Sequence, residues 1–132
     1  MAKGLSPTQR TLQALRELGC VACVVEKFNQ FGGKFGIRQD MFGIIDIVSL
    51  DVIDTIGIQA CSTDLKAHYD KLTVERAEQT IEWLRSPYRK LFIYSWRKIK
   101  LNRGGKAMRW SAKIREITMK DLLKPETCEV PF

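Results

Sequence analysis

The spacing of apolar side chains changes several times along the chain, and each change marks a new element. Leu12, Leu15 and Leu18 recur at helical spacing behind Ser6-Pro7, a pair suited to an N-cap and a first helical position, and the pattern stops at Gly19. A first helix over roughly 7–18 is predicted. The next stretch, CVACVVEKFNQFGGKFGIRQD, is rich in valine and phenylalanine and carries Gly32-Gly33 near its middle. It reads as a strand, a glycine turn and a short second extended piece. Phe42 to Leu50 and Thr55 to Cys61 are too short for helices and rich in isoleucine and valine, so they predict two strands joined by the acidic turn Asp51 to Asp54. From Thr63 the period changes again. Leu65, Tyr69, Leu72, Val74, Ala77, Ile81 and Leu84 predict one or two helices, stopped by Ser86-Pro87. Two final strands, LFIYSWRKIK and KAMRWSAKIREIT, flank a loop at 102–105 and form a hairpin over 88–118, followed by a short tail over 119–132. The order helix, three β segments, helix, two strands predicts an α/β fold, a small mixed sheet flanked by helices, as one domain over 1–132.

Composition narrows the function classes. The N-terminus MAKGLSPTQR has no signal h-region, and no apolar run approaches the roughly 18 residues of a membrane span. A cytoplasmic protein is expected. Of the four cysteines, Cys20 and Cys23 form a CxxC, but no partner pair completes a zinc site, and the single histidine, His68, is remote in sequence. Charge is the stronger signal. Residues 1–84 carry 9 basic and 11 acidic side chains, whereas 85–124 carry 13 basic and 2 acidic. A local excess of that size attracts a polyanion, nucleic acid above all, although a solvated, solubilising face would look the same.

Two polar residues interrupt the apolar runs, Asp46 in the first and Gln59 in the second. A carboxylate in a buried strand is costly unless it is paired, hydrogen-bonded or bound to a metal. If the two strands form a hairpin, Asp46 and Gln59 become neighbours near one end of the sheet. With the Ala60 carbonyl between them they offer oxygen ligands to a hard divalent cation. Glu26 and Asp40 add carboxylates close by, and Lys34, with Gly33 before it and Gly36 two residues after, adds an ammonium. The alternative is structural: Asp46 bound by backbone or Arg38, and Gln59 satisfying a sheet edge.

Helix, glutamate, "GIRQD", "FGIIDIV", "IGIQACS", helix and "YSWRK", spanning Leu12 to Thr118, resemble the PD-(D/E)XK nuclease superfamily. Within it the chain is similar to small phage or archaeal Holliday junction resolvases and virus-type replication-repair nucleases. The resemblance implies a restriction-endonuclease-like α-β-β-β-α-β core, Mg²⁺ or Mn²⁺ as cofactor, branched or structured DNA as partner, and a homodimer. It makes Asp46 the motif aspartate and metal ligand, Gln59 the residue at the motif acid, and Glu26 the acid near the first helix. Gly36, Arg38 and Asp40 fall on the approach to the metal strand, with Arg38 among the nucleic-acid contacts. Two departures stand out: the motif acid is an amide, and the motif lysine position holds Cys61. Lys66, one turn into the next helix, or Lys34 is the substitute lysine to expect.

In the basic hairpin, Arg97, Lys98, Lys100, Arg103, Lys106 and Arg109 are the candidate phosphate contacts. Tyr88, Tyr94, Trp96 and Trp110 lie among these cations as stacking surfaces for unpaired bases, with the core the commoner place for the two tryptophans. His68 is a candidate general base. Three functions fit the sequence: a metal-dependent endonuclease, a catalytically silent nucleic-acid-binding module, or a factor whose basic face meets an acidic partner.

Overall fold

The computed structural model describes residues 4–29 and 37–122. Helix α1 (Pro7–Glu17) starts where the sequence places it, with the Ser6 hydroxyl accepting the Gln9 N–H at 3.1 Å. Strands β1 (Val21–Val24), β4 (Ile47–Asp51), β5 (Asp54–Ser62), β6 (Arg89–Lys100) and β7 (Met108–Ile117) form one mixed sheet in the order β1-β4-β5-β6-β7. Only the β5–β6 pair is parallel. The helical crossover that parallel pairing requires is α2 (Leu65–Asp70), a π-helical turn at Lys71–Glu75 and α3 (Ala77–Leu84). A separate two-stranded ribbon, β2 (Lys27–Asn29) with β3 (Ile37–Gln39), lies between β1 and β4 in sequence, and α4 (Met119–Leu122) follows β7. Lys34 and Gly36 lie outside the described residues, as does Cys128. No helix among the described residues is long and apolar enough to cross a membrane.

Strand alternation divides the core between the two faces of the sheet. Ile47 and Ile58 pack with Leu12 and Leu15 of α1, joined by Phe92 and Tyr94. Leu91, Ile93, Cys61 and Ile117 face the other way, against Leu72 and Trp83 of the crossover and the loop residues Ile44 and Ile45. Gly57 is required at its place on this second face. A Cβ there would lie 2.7 Å from Ile45 Cδ1 and 3.2 Å from Trp83 Cζ2, so the bare backbone admits both.

One predicted strand is shorter than expected. Phe42 to Ile44 form a turn, and pairing with β5 begins only at Ile47. Asp46 therefore sits just before β4 rather than within a strand. Ile44 and Ile45 look like part of a strand because they are covered: both are fully buried in a turn closed by the Met41–Ile45 bridge, while Phe42 is exposed.

Candidate functional site

Three chain segments meet at one end of the sheet, where β1 ends and β4 begins beside the last residues of β5. Val25 and Glu26, following β1, both donate their N–H to the Asp46 carbonyl, at 2.8 and 3.2 Å. Asp46 donates its own N–H to the Ile58 carbonyl at 2.8 Å, carrying the β4–β5 ladder one residue past Ile47. Backbone pairing thus draws Glu26, Asp46 and Gln59 side by side. The Asp46 side chain supplies the next rung, its Oδ2 accepting the Ala60 N–H at 2.8 Å. Asp40, at the end of the β2–β3 ribbon, completes the group. Carboxylate oxygens of Glu26, Asp40 and Asp46 lie within 4.8 Å of one another. Three carboxylates at that spacing are a donor set for a hard divalent cation.

The carboxyls differ sharply in basicity. Asp46 is only 4% exposed. Burial, and then its hydrogen bond to Asp40, push it up to about 9, against the pull of the Ala60 N–H. Burial also raises Asp40, but hydrogen bonds from Asp46, Lys71 and Gln59 outweigh it and hold that carboxyl down at about 2. The two behave as one dyad with a single proton, kept on Asp46.

Gln59 is 1% exposed and fully engaged. Its Nε2 donates to Asp40 Oδ2 at 3.0 Å and to the Ile44 carbonyl at 3.3 Å, while its Oε1 accepts from Lys71 Nζ at 2.9 Å and faces His68 Nδ1 at 3.1 Å. The amide orientation is dictated by its neighbours, since an ammonium only donates and a carbonyl only accepts. The same logic puts the proton of a neutral His68 on Nδ1 and leaves Nε2 as its acceptor. Burial and the nearby Lys71 charge lower the His68 pKa, which favours that neutral ring. Lys71 also reaches Asp40 Oδ2 at 2.8 Å, so one ammonium ties Asp40 to Gln59.

The sequence-predicted residues separate into groups. Glu26 and Asp46 converge with Asp40. Gln59 reaches the cluster through Asp40, with its carbonyl oxygen turned to Lys71 and His68 rather than left open, and Ala60 reaches it through its N–H. Lys66 does not come close: its side chain is 87% exposed and its Nζ is paired with Asp70 at 3.0 Å. Lys71 was not singled out by sequence reasoning. The only hint in the sequence is its position three residues after His68, on one helix face. At Lys71 the helix widens into a π turn, closed by the Arg76 N–H on the Lys71 carbonyl at 2.8 Å, and such turns recur at functional sites. The two non-glycine residues with left-handed φ among those described, Phe42 at 57° and Thr63 at 42°, flank the same region. Each holds a sparsely populated backbone conformation next to a segment that carries the site. Cys20 and Cys23 are free thiols, half-buried and exposed.

The basic hairpin rises from the same end of the sheet. Ala60 lies beside Tyr94 and Ser62 beside Trp96, after which β6 continues alone with β7 to Lys100 and Met108. Arg97, Lys98, Lys100, Arg103, Lys106 and Arg109 are all exposed there. At about 3.3 Å per residue, Lys98 stands roughly 13 Å beyond the level of Ala60. The tryptophans divide. Trp96 is 8% exposed and donates Nε1–H to Thr11 Oγ1 at 2.8 Å, whereas Trp110 is 40% exposed on β7. Arg38 belongs to β3.

The sequence matches no protein-family model, and comparison of the chain with curated proteins and with solved structures gave no significant match.

Proposed function

We propose that the protein is a metal-dependent endonuclease of PD-(D/E)XK type that cuts phosphodiester bonds in branched or structured DNA. The observation that carries this reading is the convergence of Glu26, Asp40 and Asp46 within 4.8 Å at the sheet end from which the cationic hairpin projects. An acidic cluster repels a phosphodiester unless a cation intervenes, so its placement beside a phosphate-attracting surface favours a metal-bridged substrate. The order α1, β1, β4, β5, helical crossover, β6 agrees with a restriction-endonuclease-like α-β-β-β-α-β core, with β2–β3 as an insertion and β7 as an extension.

Glu26, Asp40 and Asp46 would hold Mg²⁺ or Mn²⁺. Such an ion, when bound, lowers the pKa of its water and offsets charge on the phosphodiester. Gln59 positions Asp40 and takes no share of the negative charge. Lys71, 2.8 Å from Asp40, presents an ammonium to a phosphate at the cluster, the role the motif gives to a lysine where this chain has buried Cys61. The second reading, a silent nucleic-acid-binding module, draws on Gln59, because an amide in place of the acid lowers the charge of the site.

Incubation with branched, single-stranded and duplex DNA in Mg²⁺ or Mn²⁺ tests the proposal. Cleavage by the native chain, lost by at least ~100-fold in Asp46→Ala and in EDTA, is expected. Cleavage that persists in Asp46→Ala, or that no metal elicits, overturns it. Salt-sensitive binding without cleavage would establish the silent module instead.

A further inference from the structure

The hairpin carries a second surface that phosphate contacts alone do not explain. Along β7, Met108, Trp110, Ala112 and Ile114 alternate onto one face, with Arg109, Ser111, Lys113 and Arg115 on the other. Met108, Trp110 and Ile114 are 47, 40 and 52% exposed, an open apolar stripe on a strand whose other face carries Arg109, Lys113 and Arg115. It lies on the α1 side of the sheet, since the neighbouring β6 residue Trp96 bonds to Thr11 of α1. Cations border it. The Arg10 guanidinium of α1 stacks over the Trp110 ring, 3.9 Å from its centroid, and so covers one ring face, Lys98 Nζ lies over the ring at 5.3 Å, and Lys100 is directly across from Met108.

We infer that this face is a binding platform for single-stranded nucleic acid, with a base stacked on the part of the Trp110 ring that Arg10 leaves exposed, apolar contact at Met108 and Ile114, and phosphates met by Arg10, Lys98 and Lys100. The charge selects the occupant. A protein partner would have to bring acidic groups to match two cations at an aromatic ring and a third beside Met108, whereas a single strand supplies a phosphate and a base at every step. Every base has a π-face, so such a platform tolerates any sequence, and a duplex, whose bases are stacked inside, cannot use it. The inference rests on the nuclease reading and narrows its substrate to DNA with an unpaired segment, such as a flap, a splayed arm or an unwound junction.

Anisotropy with labelled oligothymidylate and with a blunt duplex of equal length, both in EDTA, tests it. Because EDTA removes cleavage from the readout, failure here is distinct from failure of the cleavage assay. Trp110→Ala should weaken oligothymidylate binding about tenfold or more while changing duplex binding less than ~twofold, and Trp110→Phe should retain most of the affinity. If Trp110→Ala fails to fold, acrylamide quenching of the native chain gives the same answer: Trp83 and Trp96 are buried, so oligothymidylate should shield the one exposed indole among the described residues. Unchanged oligothymidylate affinity in Trp110→Ala, equal loss on single strand and duplex, unshielded fluorescence, or binding only to a protein partner would each overturn the platform.

Discussion

Lys71 Nζ lies 2.9 Å from Gln59 Oε1 and 2.8 Å from Asp40 Oδ2, so one ammonium bridges a neutral amide and an ionised carboxylate. What suits an amide to this buried position is its Nε2–H, which donates to Asp40 Oδ2 at 3.0 Å as no carboxylate could. With Asp40 and Asp46 already sharing a proton, a further carboxylate at position 59 would face Asp40 without the Nε2–H that now bonds to it. Gln59→Glu should therefore lower metal-free stability by about 1–3 kcal/mol, the cost of removing a buried donor and adding a buried charge. Thermal unfolding in EDTA measures this. Added Mn²⁺ should then raise the Tm of Gln59→Glu by more than that of the native chain.

Removing the bridge tests the other partner. Lys71→Met keeps the length of the stem and deletes the charge, so Asp40 loses a donor and Gln59 Oε1 keeps only His68. Cleavage should fall at least ~100-fold, while Mn²⁺ binding by calorimetry should persist. Loss of metal binding together with cleavage would reassign Lys71 to holding the ligands in place.

The dyad gives an unusual pH dependence. Because Asp46 is raised from 3.8 to about 9, the stability it contributes is fully present below the unfolded-chain value and is lost as pH rises toward 9. Asp40, held down at about 2, contributes in the opposite sense, and its share is lost only as pH falls toward 2. Asp46→Asn imitates the protonated acid, since an amide can accept from Ala60 and donate to Asp40. In EDTA at pH 8 it should be more stable than the native chain by about 1 kcal/mol or more. It should also gain nothing from Mn²⁺, because its metal-binding charge is gone. Tm profiles from pH 5 to 9, with and without metal, read both effects.

Gly57 links packing to the site. Gly57→Val forces Ile45 and Trp83 aside and should destabilise the fold by about 1–3 kcal/mol. Ile45 immediately precedes Asp46, so metal-induced stabilisation should weaken as well. Calorimetry with Mn²⁺ on the folded variant checks the second effect separately from the first.

On the hairpin, replacing Lys98, Lys100 and Arg103 together by Gln should reduce the slope of log affinity against log salt by about 0.7–0.9 for each phosphate that is no longer neutralised. A slope equal to that of the native chain would place the phosphate-binding cations elsewhere.

The mixed α/β character, the first helix and its cap, the Asp51–Asp54 turn and the long basic hairpin were legible in the sequence because each depends on local signals. Periodicity, caps and turn residues act over a few positions. Asp46 and Gln59 stood out for the same reason, as polar residues in apolar surroundings, and pairing the two runs was enough to make them neighbours. The strand expected over Phe42–Leu50 was too long because burial of Ile44 and Ile45 in a turn has the same apolar signature as burial in a sheet.

What the sequence determined by itself was the chemistry available: carboxylates near strand ends, an amide at position 59, and a run of cations with interleaved aromatics. Which groups meet was decided by the tertiary structure alone. The β2–β3 ribbon returns Asp40 to the cluster, and the crossover carries Lys71 across to it from 31 residues away, while Lys66, nearer to Gln59 in sequence, turns out to solvent. Level along the hairpin likewise set Trp96 beneath α1 and left Trp110, on the same face but further toward the hairpin tip, partly exposed. These outcomes depend on which backbone groups pair and which faces are covered. Both are properties of the assembled sheet, with no local counterpart at the residues concerned.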